Sequence, residues 1–247
     1  MQHSKLKEQY DYTLYYRNWH DESESHAAKM CDFYKGFLGP HLPPPSRKSV
    51  LDIGCGMGFA LRAMREYGFE HVQGVDVSPE QIDACQRLGE PGELVGDTCA
   101  FLSTCPRKFD VVLLLDVLEH VPTNKQIEMM RAVMDVLAPG GRVILTVPNA
   151  TSPLAARWRY GDFTHYSAFT EHSLRFVLSN AGFSRIEIPG QGPCKRPPVR
   201  FWRRSFWPAF RRWAVRFLWR QILIAELNLP SVDSLCVELN LFCVAFK

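Results

Sequence analysis

Between Ile188 and Ala225 the chain has no aspartate and no glutamate. The same window holds nine basic residues: Lys195, Arg196, Arg200, Arg203, Arg204, Arg211, Arg212, Arg216 and Arg220. Taking those nine from the 29 lysines and arginines leaves 20 basic against 26 acidic residues, so a body of net −6 lies beneath the formal total of +3. Other absences exclude whole classes. No run approaches the roughly 18 consecutive apolar residues of a membrane-spanning helix. The opening Met1-Gln-His-Ser-Lys-Leu-Lys-Glu has no apolar leader segment. The eight cysteines form no Cys-x-x-Cys pair and show no histidine spacing typical of zinc. Several sit in apolar runs, where a reduced thiol is a small hydrophobe, so a cytosolic protein is expected. With 46% hydrophobic and 22% charged residues, the composition is that of an ordinary globular protein. No internal repeat is visible, and Pro43-Pro44-Pro45 reads as a stiff connector.

What is present is a regular alternation. Residues 1–45 are polar and aromatic, with Glu24–Leu38 the best helix candidate and Tyr10, Tyr12, Tyr15, Tyr16 and Trp19 forming an aromatic cluster. Strands are expected at Ser49–Cys55, His71–Val77, Glu93–Gly96, Phe109–Val117 and Arg142–Val147. Helices are expected at Phe59–Tyr67, after the cap Ser78-Pro79-Glu80, and at Gln126–Leu137 before Pro139-Gly140-Gly141. The unbroken apolar run Val111–Leu115 suits a strand buried on both faces. A helix Thr170–Ala181, a strand Phe183–Ile188, the basic segment and a last strand Leu239–Lys247 follow. This order predicts an α/β fold: an open, Rossmann-like sheet, mostly parallel with an antiparallel last strand. Helices cover both faces, and the ligand crevice lies at the carboxyl ends of the strands. The expected organisation is an N-terminal helical lid (1–45), a core (46–189), a basic aromatic insert (190–235) and the last strand of the core (236–247).

The segment Asp52-Ile53-Gly54-Cys55-Gly56-Met57-Gly58 joins a strand to a helix, where glycines let the backbone turn tightly beside a ligand. Asp76 ends the next strand, 20 residues beyond Gly56, where a carboxylate can accept both hydroxyls of a ribose. The glycine spacing is not that of a dinucleotide site, and Asp52 would repel a pyrophosphate while answering an ammonium. Asp97, after Gly96, can accept from an adenine amino group. In this order, with Phe109-Asp110-Val111-Val112, Asp116-Val117-Leu118-Glu119-His120-Val121 and Leu137-Ala138-Pro139-Gly140-Gly141, these residues resemble the class I S-adenosylmethionine-dependent methyltransferases. The likeness is in particular to the large group that includes ubiquinone-biosynthesis and sugar methyltransferases. The resemblance covers roughly 48–189 and the last strand. It implies S-adenosylmethionine as cofactor, bound by Asp52, Gly54, Cys55, Gly56, Asp76, Val77, Asp97, Thr98 and Leu115.

Methylating a hydroxyl also needs a base, because a protonated alcohol is a weak nucleophile. Two histidines compete: His120, after the fourth strand, and His165, in the loop after the fifth. Asp162, three residues earlier, is placed to orient and charge the His165 ring. No metal ligand set is expected. The stretch Tyr160–Phe183 looks like one met in methyltransferases of bacterial polysaccharide and O-antigen biosynthesis, which points to a sugar hydroxyl on a lipid-linked or growing glycan. The alternatives are a small lipid or quinone-precursor acceptor, and a non-catalytic scaffold retaining the fold.

Residues 200–220 contain four of the six tryptophans. From Pro208 onward, helical spacing places Phe210, Trp213, Ala214, Phe217 and Leu218 on one side and Arg212, Arg216 and Arg220 on another. Such a pattern suits a helix lying on an anionic membrane surface, so the enzyme is expected to be cytoplasmic and peripheral on the inner face of the membrane. Contact with a partner or second copy is the next reading. Nucleic acid is disfavoured by the acidic body.

Overall fold

A computed structural model of the chain describes residues 19–45, 48–189, 206–228 and 235–247. Among these, seven strands make one sheet: β1 (Ser49–Ile53), β2 (His71–Asp76), β3 (Gly92–Leu94), β4 (Phe109–Leu115), β5 (Leu137–Pro148), β6 (Arg185–Glu187) and β7 (Asn240–Phe246). The helices are α1 (Glu24–Leu38), α2 (Phe59–Tyr67), α3 (Pro79–Arg87), α4 (Thr98–Thr104), α5 (Gln126–Val136), α6 (Ala155–Gly161), α7 (Glu171–Ala181) and α8 (Phe206–Leu227). The sheet order is β3-β2-β1-β4-β5-β7-β6. Only β7 is reversed, antiparallel to both β5 and β6, as expected for the last strand.

The continuous apolar run of β4 now has its reason. Val112 and Leu114 pack toward α5 and α7 with Leu51, Met130 and Leu174. Val111 and Leu113 point the other way, toward α1 and α2, with Val50, Leu38 and Met64. A strand covered on both faces needs apolar residues at every position, since successive side chains alternate between faces. At burial values near 25 cal/mol per Å², these two layers supply most of the drive to fold.

Most boundaries fall within a residue or two of expectation. β5 is the main exception: it begins at Leu137, through Pro139-Gly140-Gly141, with an irregular register against β4 between Phe109 and Val111. A Cβ on Gly141 would meet the Ala138 and Phe109 carbonyl oxygens at 2.9 and 3.0 Å, so the glycines pass a tight bulge instead of ending pairing. Periodicity missed the short helices α4 and α6. The β6 strand is three residues long, against the six expected.

Helix α8 corrects the expected division of the basic segment. Arg220 is buried (3% exposed), donates to the Leu235 carbonyl, and Arg216 forms a bidentate pair with Glu238. The Trp219 indole N–H donates to the Thr151 carbonyl at 2.8 Å. These arginines therefore face the body. Trp207, Leu218 and Ile222, over half exposed, face outward, with Arg211 and Arg212 also exposed. Helical spacing grouped Arg216 with Arg220 correctly, but Arg212, expected beside them, is exposed, and spacing could not say which side meets the protein. Lys195, Arg196, Arg200, Arg203 and Arg204, and the tyrosines of the aromatic cluster, lie outside the described residues.

Candidate active site

The residues expected to hold a cofactor end four adjacent strands on one edge of the sheet. Asp52 is at the end of β1, Asp76 at the end of β2, Asp97 and Thr98 follow β3, and Leu115 ends β4. Parallel strands bring their carboxyl ends together, and β1–β4 pairing sets Asp52 opposite Leu113, two residues before Leu115.

The loop after β1 is held open by its own chemistry. Gly54, Gly56 and Gly58 have φ of +72°, +53° and +85°, a region costly for other residues. A Cβ on Gly54 would come 2.5 Å from Val117 Cγ2. One Asp76 oxygen accepts the Gly56 N–H and the other the Ser78 N–H, each at 2.9 Å. Asp76 thus fixes the loop and the start of α3 together, with Val77 between them. Asp97 caps α4, accepting the Ala100 N–H at 2.8 Å. Cys55 is buried beneath the loop. Contact with Cys85 and burial push its thiol far up, so it stays neutral.

Asp52 is 2% exposed. Burial, and secondarily the Asp76 charge, raise its pKa to about 8. A carboxylate desolvated beside another carboxylate is completed by a cation. A sulfonium carrying an ammonium group supplies one, so the residues present fit S-adenosylmethionine. Over this edge lies Tyr34 of α1, whose hydroxyl is pushed up by burial and by the Asp116 and Asp52 charges.

On the β4–β5 side the structure gathers the expected catalytic residues and adds two. After Asp116, at a φ of +55° unusual for a non-glycine, the turn Leu118–His120 carries Glu119 and His120. The loop after α6 carries Asp162, Thr164 and His165. The backbone N–H of Tyr166 donates to the Glu119 carbonyl at 2.7 Å, joining the two segments. The rings of His120 and His165 lie 4.6 Å apart, edge to face.

The Asp162–His165 pairing expected from spacing is present as an ion-pair contact rather than a hydrogen bond. Their closest approach is 3.8 Å, beyond a hydrogen bond, and the aspartate's short bonds go to Thr164 instead. The Thr164 N–H and hydroxyl donate to Asp162 Oδ1 at 2.8 and 2.6 Å. Although burial pushes the Asp162 carboxyl up, these bonds and the two histidines outweigh it and hold it below the usual range. Burial lowers the His165 pKa, with Asp162 opposing only in part, so the ring is neutral near pH 7.

Thr164 is a residue the sequence reading missed, and Glu119 was read only as part of a motif. Glu119 is 1% exposed, and burial, then the Asp116 and Asp162 charges, raise its pKa well above the usual range. Gln126 was missed too. Buried at 2% exposure, its side-chain amide reaches the Leu118 and Val121 carbonyls, on either side of Glu119-His120, and the Ser167 hydroxyl. No local pattern marks it, since its partners are 41 residues apart from it or on the preceding turn.

Residues 19–188 match the family described as a methyltransferase domain. The chain is 35% identical over 119 residues to the ubiquinone biosynthesis O-methyltransferase of Idiomarina loihiensis, covering 46% of this chain and 48% of that protein. It is 30% identical over 147 residues to the enzyme of that name from Proteus mirabilis, covering 52% and 59%. The chain therefore spans about half the length of the curated relatives it matches. Among solved structures, an S-adenosylmethionine-dependent methyltransferase from Archaeoglobus fulgidus superposes with a TM-score of 0.64 at 22% identity, over 88% of this chain and 94% of that one. Magnesium protoporphyrin IX methyltransferase from Synechocystis, solved with S-adenosylhomocysteine, gives 0.54 at 18%, over 90% and 83%. These likenesses show the same fold. With the family match over most of its length, the chain belongs to the methyltransferase-domain family, and its cofactor edge fits S-adenosylmethionine.

Proposed function

We propose that the protein methylates a hydroxyl group on a small aromatic, quinone-precursor type of acceptor. The observation that carries this reading is the joining of His120 to Asp162 through Thr164, next to the cofactor edge. The Thr164 hydroxyl spends its proton on Asp162, so its oxygen accepts from His120 Nδ1 at 2.8 Å. That fixes the ring tautomer and leaves the lone pair at Nε2. When bound, S-adenosylmethionine supplies an electrophilic methyl group on a good leaving group. The residues of this chain have two tasks: aligning the acceptor, worth about 7–11 kcal/mol in such reactions, and easing removal of its hydroxyl proton, worth about 10²–10⁴-fold.

The printed names of the relatives favour this acceptor over the glycan expected from the Tyr160–Phe183 stretch. One feature supports the glycan as a second reading: Tyr160 and Phe163 are 77% and 84% exposed beside His165, and aromatic faces of this kind stack on sugar rings. Transfer of a labelled methyl group separates the two. Label in an organic-extractable phenol supports the first reading, and label confined to aqueous glycan replaces it with the second.

We further propose that α8 rests on an anionic lipid surface. Its outward Trp207, Leu218 and Ile222, with Arg211 and Arg212 alongside, suit a headgroup layer, and a poorly soluble acceptor would be met there. No helix among the described residues is long and apolar enough to cross a membrane.

A further inference from the structure

We propose that Glu119, His120 and His165 bind one divalent cation of the first transition row, such as Zn2+ or Mn2+, on the acceptor side of the crevice. The three residues offer one carboxylate oxygen and two imidazole nitrogens, all within 4.8 Å of one another. Ligand bonds of about 2.0–2.2 Å need donor atoms roughly 3–3.5 Å apart, a closure within reach of small side-chain rotations. Two imidazoles and a carboxylate form a facial donor set suited to such ions, with coordination positions left for an acceptor oxygen.

The burial of Glu119 is the independent reason. Its side chain is 1% exposed, yet among the described residues neither carboxylate oxygen has a hydrogen bond of good geometry, its own backbone N–H being the one donor close by. Asp116 and Asp162 add negative charge around it. A polar group is costly to bury unpaired, and a buried charge is normally paired or bound to metal. His165 Nδ1 is also buried and makes no hydrogen bond of good geometry among the described residues, with the Trp158 and Arg159 carbonyls close to the ring. Asp162 fits the outer layer of such a centre. It holds the far side of the His120 ring through Thr164 and stands 3.8 Å from His165 Nε2. Carboxylates placed behind ligating histidines fix ring tautomer and orientation.

The role of the ion rests on the methyl-transfer reading; its binding does not. With the His120 Nε2 lone pair on the ion and no longer available as a base, coordination of the acceptor hydroxyl oxygen lowers its pKa, so its proton passes to water and the oxygen keeps the electron pair that attacks the methyl carbon. The S–CH3 bond breaks as the O–CH3 bond forms, and its pair stays on sulfur.

The test uses the full chain stripped with chelator, then dialysed against Co2+ or Zn2+ alone. The expected result is one ion per chain, with Co2+ giving visible ligand-field bands. Glu119→Gln and His165→Ala should each weaken binding at least tenfold with an unchanged far-ultraviolet dichroism spectrum. Should Glu119→Gln fail to fold, His165→Ala and the Co2+ spectrum of the unaltered chain decide. Absence of ligand-field bands, or equal uptake by the variants, overturns the proposal. S-adenosylmethionine binding measured by calorimetry in chelator separates the two readings. Retained cofactor binding and methyl transfer without any ion removes the cation and leaves the enzyme, whereas ion binding without transfer to any hydroxyl acceptor removes the proposed function and leaves the site.

Discussion

His120 Nδ1 stands 2.8 Å from the Thr164 hydroxyl oxygen, although the residues are 44 positions apart and on different loops. Thr164 is in turn held by Asp162, so a neutral hydroxyl carries the influence of a carboxylate to the imidazole. Direct Asp–His contact would bring the carboxylate charge onto the ring, whereas here a hydroxyl stands between them and orients it. Thr164→Val keeps the shape and removes the link. Turnover should fall about 10–100-fold with the cofactor dissociation constant unchanged. Equal loss of both, measured by initial rates and calorimetry, would show that Thr164 only holds the loop.

Asp52 predicts a proton release. With its pKa near 8 in the free protein, the carboxyl is mostly protonated at pH 7, and a bound cation favours the ionised form. Cofactor binding should therefore expel about one proton at pH 7, and affinity should rise with pH until about pH 8 and then level. The same shift has a sign for stability. The raised pKa penalises the folded state as pH climbs from the unfolded value near 4 toward 8, so the free protein should be more stable at pH 5 than at pH 8 on this group's account. Calorimetry in buffers of different ionisation enthalpy measures the released proton, and Asp52→Asn should abolish it.

Asp76→Ala removes acceptors for the Gly56 and Ser78 N–H groups along with the expected ribose contact. Cofactor affinity should drop at least tenfold. Asp76→Asn keeps one acceptor oxygen and should recover part of the loss in thermal stability but little of the affinity, as read by calorimetry and melting curves.

Gly54→Ala meets two costs, a positive φ and a methyl 2.5 Å from Val117 Cγ2. Destabilisation of about 2–4 kcal/mol is expected in denaturant melts. Adding Val117→Ala relieves the overlap but not the backbone strain, so the double variant should be only partly restored.

The outward face of α8 should bring the chain to the top of a flotation gradient with anionic vesicles and leave it at the bottom with neutral ones. Leu218→Glu and Ile222→Glu, both at exposed positions, should abolish flotation without altering the melting temperature. Flotation that persists in the double variant would assign membrane contact elsewhere.

By itself, the sequence determined the order of strands and helices, the glycine loop, and the acids at the strand ends. These are local facts: an apolar run, a cap such as Ser78 or Thr170, or a glycine in a positive-φ turn is set by neighbours in the chain. The cofactor edge was legible for the same reason, because each parallel strand delivers its last residue to one edge of the sheet. Tertiary structure alone decided the other half of the site. The Thr164 bonds to Asp162, Gln126 bracing the Glu119-His120 turn, and the burial of the Glu119 carboxylate depend on two loops meeting across β4 and β5. The basic helix shows the same limit. Its period suggested two faces, but the position of Glu238, 22 residues from Arg216, decided that Arg216 and Arg220 would turn inward and leave Leu218 and Ile222 outside with Arg212. A side chain's burial and partners follow from which surfaces pack together, and sequence periodicity carries no information about that choice.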